Sequence, residues 1–157
     1  MAEKLKIALG ADHAGFELKK TVRAYLEGKG FQIDDQGTHS TESTDYPDFA
    51  QKVAARVAAN QADFGVLICG TGLGMTIAAN KFPGIRAAAC NDTISARLAR
   101  AHNNANVLAM GGRLIGEATA EKILDTWLST PFEGGRHERR VEKIAAFDRK
   151  NHSKENS

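Results

Sequence analysis

Phe64-Gly-Val-Leu-Ile-Cys-Gly-Thr-Gly-Leu-Gly-Met-Thr-Ile-Ala-Ala-Asn-Lys81 is the stretch on which the fold turns. Residues 64–68 are a short apolar run with β-branched members, as in a strand buried on both faces, and residues 75–79 resume as a helix-forming segment. Between them, Cys69-Gly-Thr-Gly-Leu-Gly74 carries three alternate glycines, which let the backbone turn tightly and aim bare N–H groups at one spot beside a helix N-terminus. Strand, loop and helix in that order predict a site for an anion. A strand-to-helix turn often needs one or two glycines; three in alternation exceed that need. Cys69 ends the strand where the field of the helix acts. Its sulfur has two readings: a base or nucleophile favoured as the anion, or a small buried hydrophobe.

Working outward, residues 5–11 read as a first strand, and Asp12-His-Ala-Gly15 as a polar turn into a helix on which Leu18, Val22, Tyr25 and Leu26 recur at helical spacing. Gly28 and Gly30 stop that helix, and residues 31–34 give a second short strand. A polar loop runs over residues 37–47, ending in Thr44-Asp-Tyr-Pro47, before Phe49, Val53 and Val57 mark a second helix. After the central segment come a fourth strand at residues 85–90, a helix marked by Ile94, Leu98 and Ala101, a fifth strand at residues 106–110, and a helix marked by Ala120, Ile123, Leu124, Trp127 and Leu128. Strand and helix alternate five times over short connections. That predicts an α/β fold: a doubly wound five-stranded parallel sheet with helices on both faces, a Rossmann-like three-layer sandwich. In such sheets ligands lie at the carboxyl ends of the strands, and the polar residues Asp12, His13, Cys69, Asn91 and Asp92 collect there.

A chain of 157 residues, 42% hydrophobic and 25% charged, fits one domain, expected over residues 1–150. Its net charge of +2, with the charges interspersed, excludes a nucleic-acid-binding composition. The basic excess gathers late, at Arg136, Arg139, Arg140, Lys143, Arg149 and Lys150, and points to a local anionic partner. Free cysteines, no signal peptide and no long apolar span predict a cytoplasmic protein without a membrane segment. Past Pro131, Phe132-Glu-Gly-Gly-Arg136 reads as a connector. Residues 138–150 form a polar helix with a thin apolar stripe of Val141, Ile144 and Ala145. This helical arm, 132–150, buries little alone, so packing against a second subunit is expected, with residues 151–157 as a disordered tail.

Arg136 and Arg140, four apart, share a helix face as a phosphate clamp or as a solvated basic surface. His102, at the end of the fourth helix, is a proton shuttle or a residue favoured by the helix dipole. Arg113 is a further candidate anion contact. Tyr46 has the shape to line a sugar pocket, while the rest of its segment caps the second helix. His13 beside Asp12 suggests a metal, but no His-x-x-x-His or Cys-x-x-Cys pairing supports one.

Gly10-Ala-Asp-His-Ala-Gly15, Thr44-Asp-Tyr-Pro47, Ile68-Cys-Gly-Thr-Gly-Leu-Gly74, Ala78-Ala-Asn-Lys81, His102-Asn103, Asn106-Val-Leu-Ala109 and Glu133-Gly-Gly-Arg-His137 together resemble type B ribose-5-phosphate isomerase, in the order found in that family and over residues 4–147. The resemblance implies a metal-free and cofactor-free aldose–ketose isomerase of the pentose phosphate pathway, working on a phosphorylated sugar as a homodimer or homotetramer with shared active sites. It implies Cys69 as the base that moves the proton, and His102 with Asp12 as the pair that opens the furanose ring. Gly70, Thr71, Gly72, Leu73 and Gly74 are implied to form the anion hole for the enediolate, with Thr71 belonging to the catalytic loop. Asn103 is implied to contact a substrate hydroxyl, and His13, Arg113, Arg136 and Arg140 to surround the phosphate. One branch of the family has glycine where Cys69 stands and glutamate where Met75 stands; this sequence follows the cysteine branch. Relatives acting on allose or galactose 6-phosphates leave a six-carbon substrate open.

Two other functions compete on the same loop. A dinucleotide-dependent redox protein would explain Gly70-x-Gly72 after a strand and Asp92 about twenty residues on, but its third glycine belongs at Met75 rather than at Gly74. No Gly-Lys-Ser or Gly-Lys-Thr closes a P-loop. A phosphosugar-binding module without activity would need neither Cys69 nor His102.

Overall fold

The computed structural model describes residues 4–155. Its strands are β1 (Lys6–Ala11), β2 (Gln32–Asp35), β3 (Phe64–Cys69), β4 (Ala87–Ala89) and β5 (Val107–Gly111). The helices are α1 (Phe16–Gly28), α2 (Tyr46–Ala58), α3 (Leu73–Ala79), α4 (Thr93–Asn103), α5 (Glu117–Ser129) and α6 (Arg136–Glu155). The strands form one sheet of order β2-β1-β3-β5-β4, every pair parallel.

Alternation along the central strands divides the core in two. Ile7, Leu9, Val66, Ile68, Leu108 and Met110 face α1, α4 and α5, while Ala8, Leu67, Cys69, Val107 and Ala109 face α2 and α3. The first face holds the bulky set around the fully buried Trp127, and the second is built of smaller residues, so α2 and α3 lie close to the sheet. Each fully buried Leu, Ile or Met contributes about 1.5–3 kcal/mol through the water it sheds.

The side on which each helix packs follows from the strand order. The path moves outward from β1 to β2, then back across β1 to β3 and on to β4, and the covering helices change face where that direction reverses. Right-handed crossovers require this. Paths leaving β1 and β3 therefore diverge, and the crevice at their carboxyl ends is where a doubly wound sheet holds its ligand.

Three boundaries differ from those read in the sequence. α2 begins at Tyr46 rather than near Phe49, because Pro47 fits the first helical turn, where its missing N–H and fixed φ cost nothing. β4 pairs over only three residues at the sheet edge, although Ile85 and Cys90 on either side of it are buried. α6 runs on through Glu155, past the point where a disordered tail was expected, since Asn151-His-Ser-Lys-Glu155 contains no glycine or proline to stop it. Residues 156–157 of that tail lie outside the described residues. No helix among the described residues is long and apolar enough to cross a membrane.

Candidate active site

At the carboxyl ends of β1 and β3 lies an open cavity of about 320 Å³ lined by Asp12, His13, Ala14, Tyr46, Cys69, Gly70, Thr71, Gly74 and Arg113. Each lining residue arrives by a local device. Cys69 is the last residue of β3, 4% exposed, and the Gly72 N–H donates to its Sγ at 3.1 Å. That contact needs Gly72 in the left-handed region, φ +85°, which an L side chain rarely adopts. Thr71 Oγ1 accepts from the Leu73 N–H at 3.2 Å, and the first helical bond of α3 runs from the Thr76 N–H to the Gly72 carbonyl. The amides ahead of Thr76 thus lie outside the helical ladder, and two of them are turned to the sulfur and to the threonine hydroxyl.

Asp12 directly follows β1 and is buried, with Oδ1 accepting from the Gly15 N–H at 3.0 Å. His13 and Thr44 are joined twice: the His13 N–H donates to Thr44 Oγ1 at 3.2 Å, and the Thr44 N–H donates to His13 Nδ1 at 3.1 Å. Because a backbone N–H can only donate, Nδ1 is the acceptor, and the neutral ring carries its proton on Nε2. Asn91 ties the two sides of the loop, its Nδ2 donating to the Thr71 carbonyl at 3.1 Å and its Oδ1 accepting from the Gly111 N–H at 2.8 Å. Tyr46, at the start of α2, lies over Gly74 so closely that a Cβ there would come within 2.6 Å of the ring.

The remaining residues named from the sequence gather elsewhere in the chain. His102 and Asn103 end α4, whose eleven residues span about 16 Å and run opposite to the strands, so they lie at the amino edge of the sheet, away from Cys69. There the His102 ring stacks on His137 at 4.1 Å and 9° between planes, and Glu133 Oε2 lies 3.8 Å from His102 Nε2 and 3.6 Å from His137 Nε2. Arg136 and Arg140 are exposed on the first turns of α6 beside this cluster. Asn103 also lines a second cavity, with Asn80, Arg86, Ile144 and Asp148 among its walls. One chain thus divides the sequence-named residues into two groups at opposite edges of the sheet. Leu73 is exposed, and neither it nor Gly72 lines the cavity.

Three residues make contacts that appear only in the folded chain. Thr44 and Asn91 act as clamps on partners 31 and 20 residues away, separations that no local motif signals. His137, given no role of its own at the end of the Glu133-Gly-Gly-Arg-His137 motif, is buried. The two cysteines also part: burial pushes the Cys90 thiol up to about 11, so it stays a neutral core thiol, whereas Cys69 opens on the cavity.

The family model described as "Ribose/Galactose Isomerase" matches residues 7–144. Over 145 residues the chain is 52% identical to ribose-5-phosphate isomerase B of Escherichia coli, covering 92% of this chain and 97% of that protein. It is 46% identical, again over 145 residues and with 92% and 95% covered, to a D-erythrulose-4-phosphate isomerase of Pectobacterium atrosepticum. Among solved structures, a ribose 5-phosphate isomerase from Thermotoga maritima superimposes with a TM-score of 0.89 at 60% identity, over 92% of this chain and 99% of that one. With a family model spanning most of its length and relatives matched almost end to end, the chain belongs to the ribose/galactose isomerase family.

Proposed function

We propose that this chain interconverts D-ribose 5-phosphate and D-ribulose 5-phosphate, with Cys69 as the base. The ring-opened sugar lies with C2 against Sγ. The thiolate takes the C2 proton, the C1 carbonyl pair moves onto its oxygen, and the resulting enediolate is reprotonated at C1 while a second proton passes from O2 to O1. The two carbons exchange oxidation states within one molecule, so no external oxidant, reductant or cofactor is needed. Loop amides and the Thr71 hydroxyl stabilise the oxyanion where it develops, which is the largest electrostatic contribution available to such a step. His13, donating from Nε2, and Arg113 meet the phosphate from this side. The buried thiols and a phosphorylated substrate suit a cytoplasmic protein of sugar metabolism.

Ring opening needs a proton taken from the anomeric hydroxyl and one supplied to the ring oxygen. Asp12 is one member of that pair and His102 of a second copy the other, because within one chain the two stand at opposite edges of the sheet. Asn103, Arg136 and Arg140 travel with His102 and complete the hydroxyl and phosphate contacts, so the active unit is a homo-oligomer with shared sites.

The observation that carries this reading is the Gly72 N–H aimed at Cys69 Sγ in a cavity that also holds Asp12, His13 and Arg113. Cys69→Ala should lower turnover of ribose 5-phosphate by about 10²- to 10⁴-fold, the scale of a lost general base, while KM and fold stay near those of the wild type. Near-normal turnover would remove Cys69 from the role. The relative named for a four-carbon ketose phosphate makes chain length the competing variable, so the same assay is run with four-, five- and six-carbon aldose phosphates. A kcat/KM highest for a sugar other than ribose 5-phosphate would reassign the substrate and leave the chemistry in place.

A further inference from the structure

At the amino edge of the sheet, His102 on α4, Glu133 in the α5–α6 connector and His137 on α6 bring three ligand atoms within 4.8 Å of one another. The scaffold beneath them is fixed: the Glu133 N–H donates to the Ala101 carbonyl at 3.0 Å, and Gly134 and Gly135, both at positive φ, turn the chain so that Glu133 returns over His137. His137 is 7% exposed, and its Nε2 is buried without a hydrogen-bond partner although a carboxylate oxygen stands 3.6 Å away. That separation and the 3.8 Å to His102 Nε2 are too long for hydrogen bonds. They lie close to the ~3.4 Å edge of a tetrahedron with zinc-type bonds. His102 and Glu133 have side chains 36% and 55% exposed, so they have room for the small rotations that would turn the stacked rings toward one centre.

We propose that His102, Glu133 and His137 form a binding site for a transition-metal dication of the zinc type, and that its occupation inhibits the enzyme. Two imidazoles and one carboxylate are a donor set for Zn²⁺, Co²⁺ or Ni²⁺, and too poor in oxygen for Mg²⁺ or Ca²⁺. Inhibition rests on the proposed function, in which His102 opens the sugar ring: a lone pair bound to metal cannot accept the proton. The metal is a brake and takes no part in the isomerisation.

Purified wild-type protein is titrated with Co²⁺ and then Zn²⁺, following visible d–d absorption and, separately, turnover of ribose 5-phosphate. One Co²⁺ per chain is expected, without a thiolate charge-transfer band, displaced by Zn²⁺. E133Q and H137Q should each weaken binding at least about tenfold, in step with the inhibition midpoint measured against each variant's own metal-free rate. A Cys69→Ser variant should bind as the wild type does. Absence of binding at millimolar metal, or a charge-transfer band that vanishes with Cys69→Ser, would overturn the site. Binding with the expected ligands but no loss of turnover would overturn the inhibition and also the ring-opening role of His102, leaving the metal site itself established.

Discussion

Lys19 and Asp35 are both almost fully buried, 2.6 Å apart, with Arg23 adding a second contact to Asp35 at 2.9 Å. Burial alone would raise the Asp35 carboxyl. Hydrogen bonds from Lys19, the Gly37 N–H and Arg23, with the charge of Lys19, overcome that and hold it below the ordinary 3.8. The pair therefore stabilises the fold above about pH 3.8, and that contribution is lost as acid protonates Asp35. It matters to the site because Gly37 accepts from the Ala11 N–H and Thr38 donates to the Ala11 carbonyl, fixing the end of β1 next to Asp12. Lys19→Met should cost ~2–3 kcal/mol at pH 7, below the range for an orphaned buried charge because Arg23 stays paired. Urea unfolding of both proteins at pH 7 and pH 3 checks this: the gap should narrow in acid, and a gap independent of pH would rule out the charge pair as its source. Nothing in the sequence announced this pair, since a Lys on a helix and an Asp sixteen residues on look like solvated surface. Cys69 was legible as a candidate for the opposite reason: the partner of its sulfur, the Gly72 N–H, is three residues on in the chain.

At the scale of elements, strands and helices were legible wherever one periodicity acted alone. Buried β3 and β5 read as apolar runs and α5 as a heptad-like face, because their packing partners demand only apolar volume. Ends were less legible. Tyr46 looked like a loop residue before a proline, yet Pro47 makes it the first residue of α2, and so its ring reaches the cavity beside Gly74. The strand order was not readable at all, because β4 pairs beyond β5 through contacts distant in sequence. Gly74 tests how tightly α2 and α3 define the cavity. A methyl group there would meet Tyr46 Cζ at 2.6 Å, and the ring, 40% exposed, can swing aside rather than force the backbone. Gly74→Ala should therefore leave the melting temperature within a few degrees of the wild type while lowering kcat/KM about 10- to 10²-fold through the displaced tyrosine. Unaltered kinetics would show that Tyr46 plays no part in positioning the sugar.

For the whole molecule, the decisive quantity is the separation between Cys69 and His102. α4 carries the chain from the carboxyl edge to the amino edge, and α6, twenty residues and about 30 Å long, leaves from that far edge with Ile144 and Phe147 exposed on it. Those apolar side chains stand out from a helix that packs mainly on α4, and in the shared-site assembly proposed above they are where another copy of the chain would pack. In the proposed role Arg136 and Arg140 would have to hold a phosphate to within an ångström or so, which a Gly-Gly connector alone would not ensure, and a second subunit would supply the rigidity. Subunit exchange tests the point. Cys69→Ala and His102→Ala are each expected to be inactive as pure proteins. In a mixed dimer with sites shared between chains, one site carries both defects and the other carries neither, so mixing should restore up to about a quarter of wild-type activity at random exchange. Arg136→Ala and Arg140→Ala should behave as His102→Ala does, each weakening phosphosugar binding by roughly 1.5–3 kcal/mol and each rescued by Cys69→Ala subunits but not by His102→Ala subunits. Persistent inactivity of the mixture, with exchange verified by mass spectrometry, would put both residues in one chain's site and contradict the separation that α4 imposes.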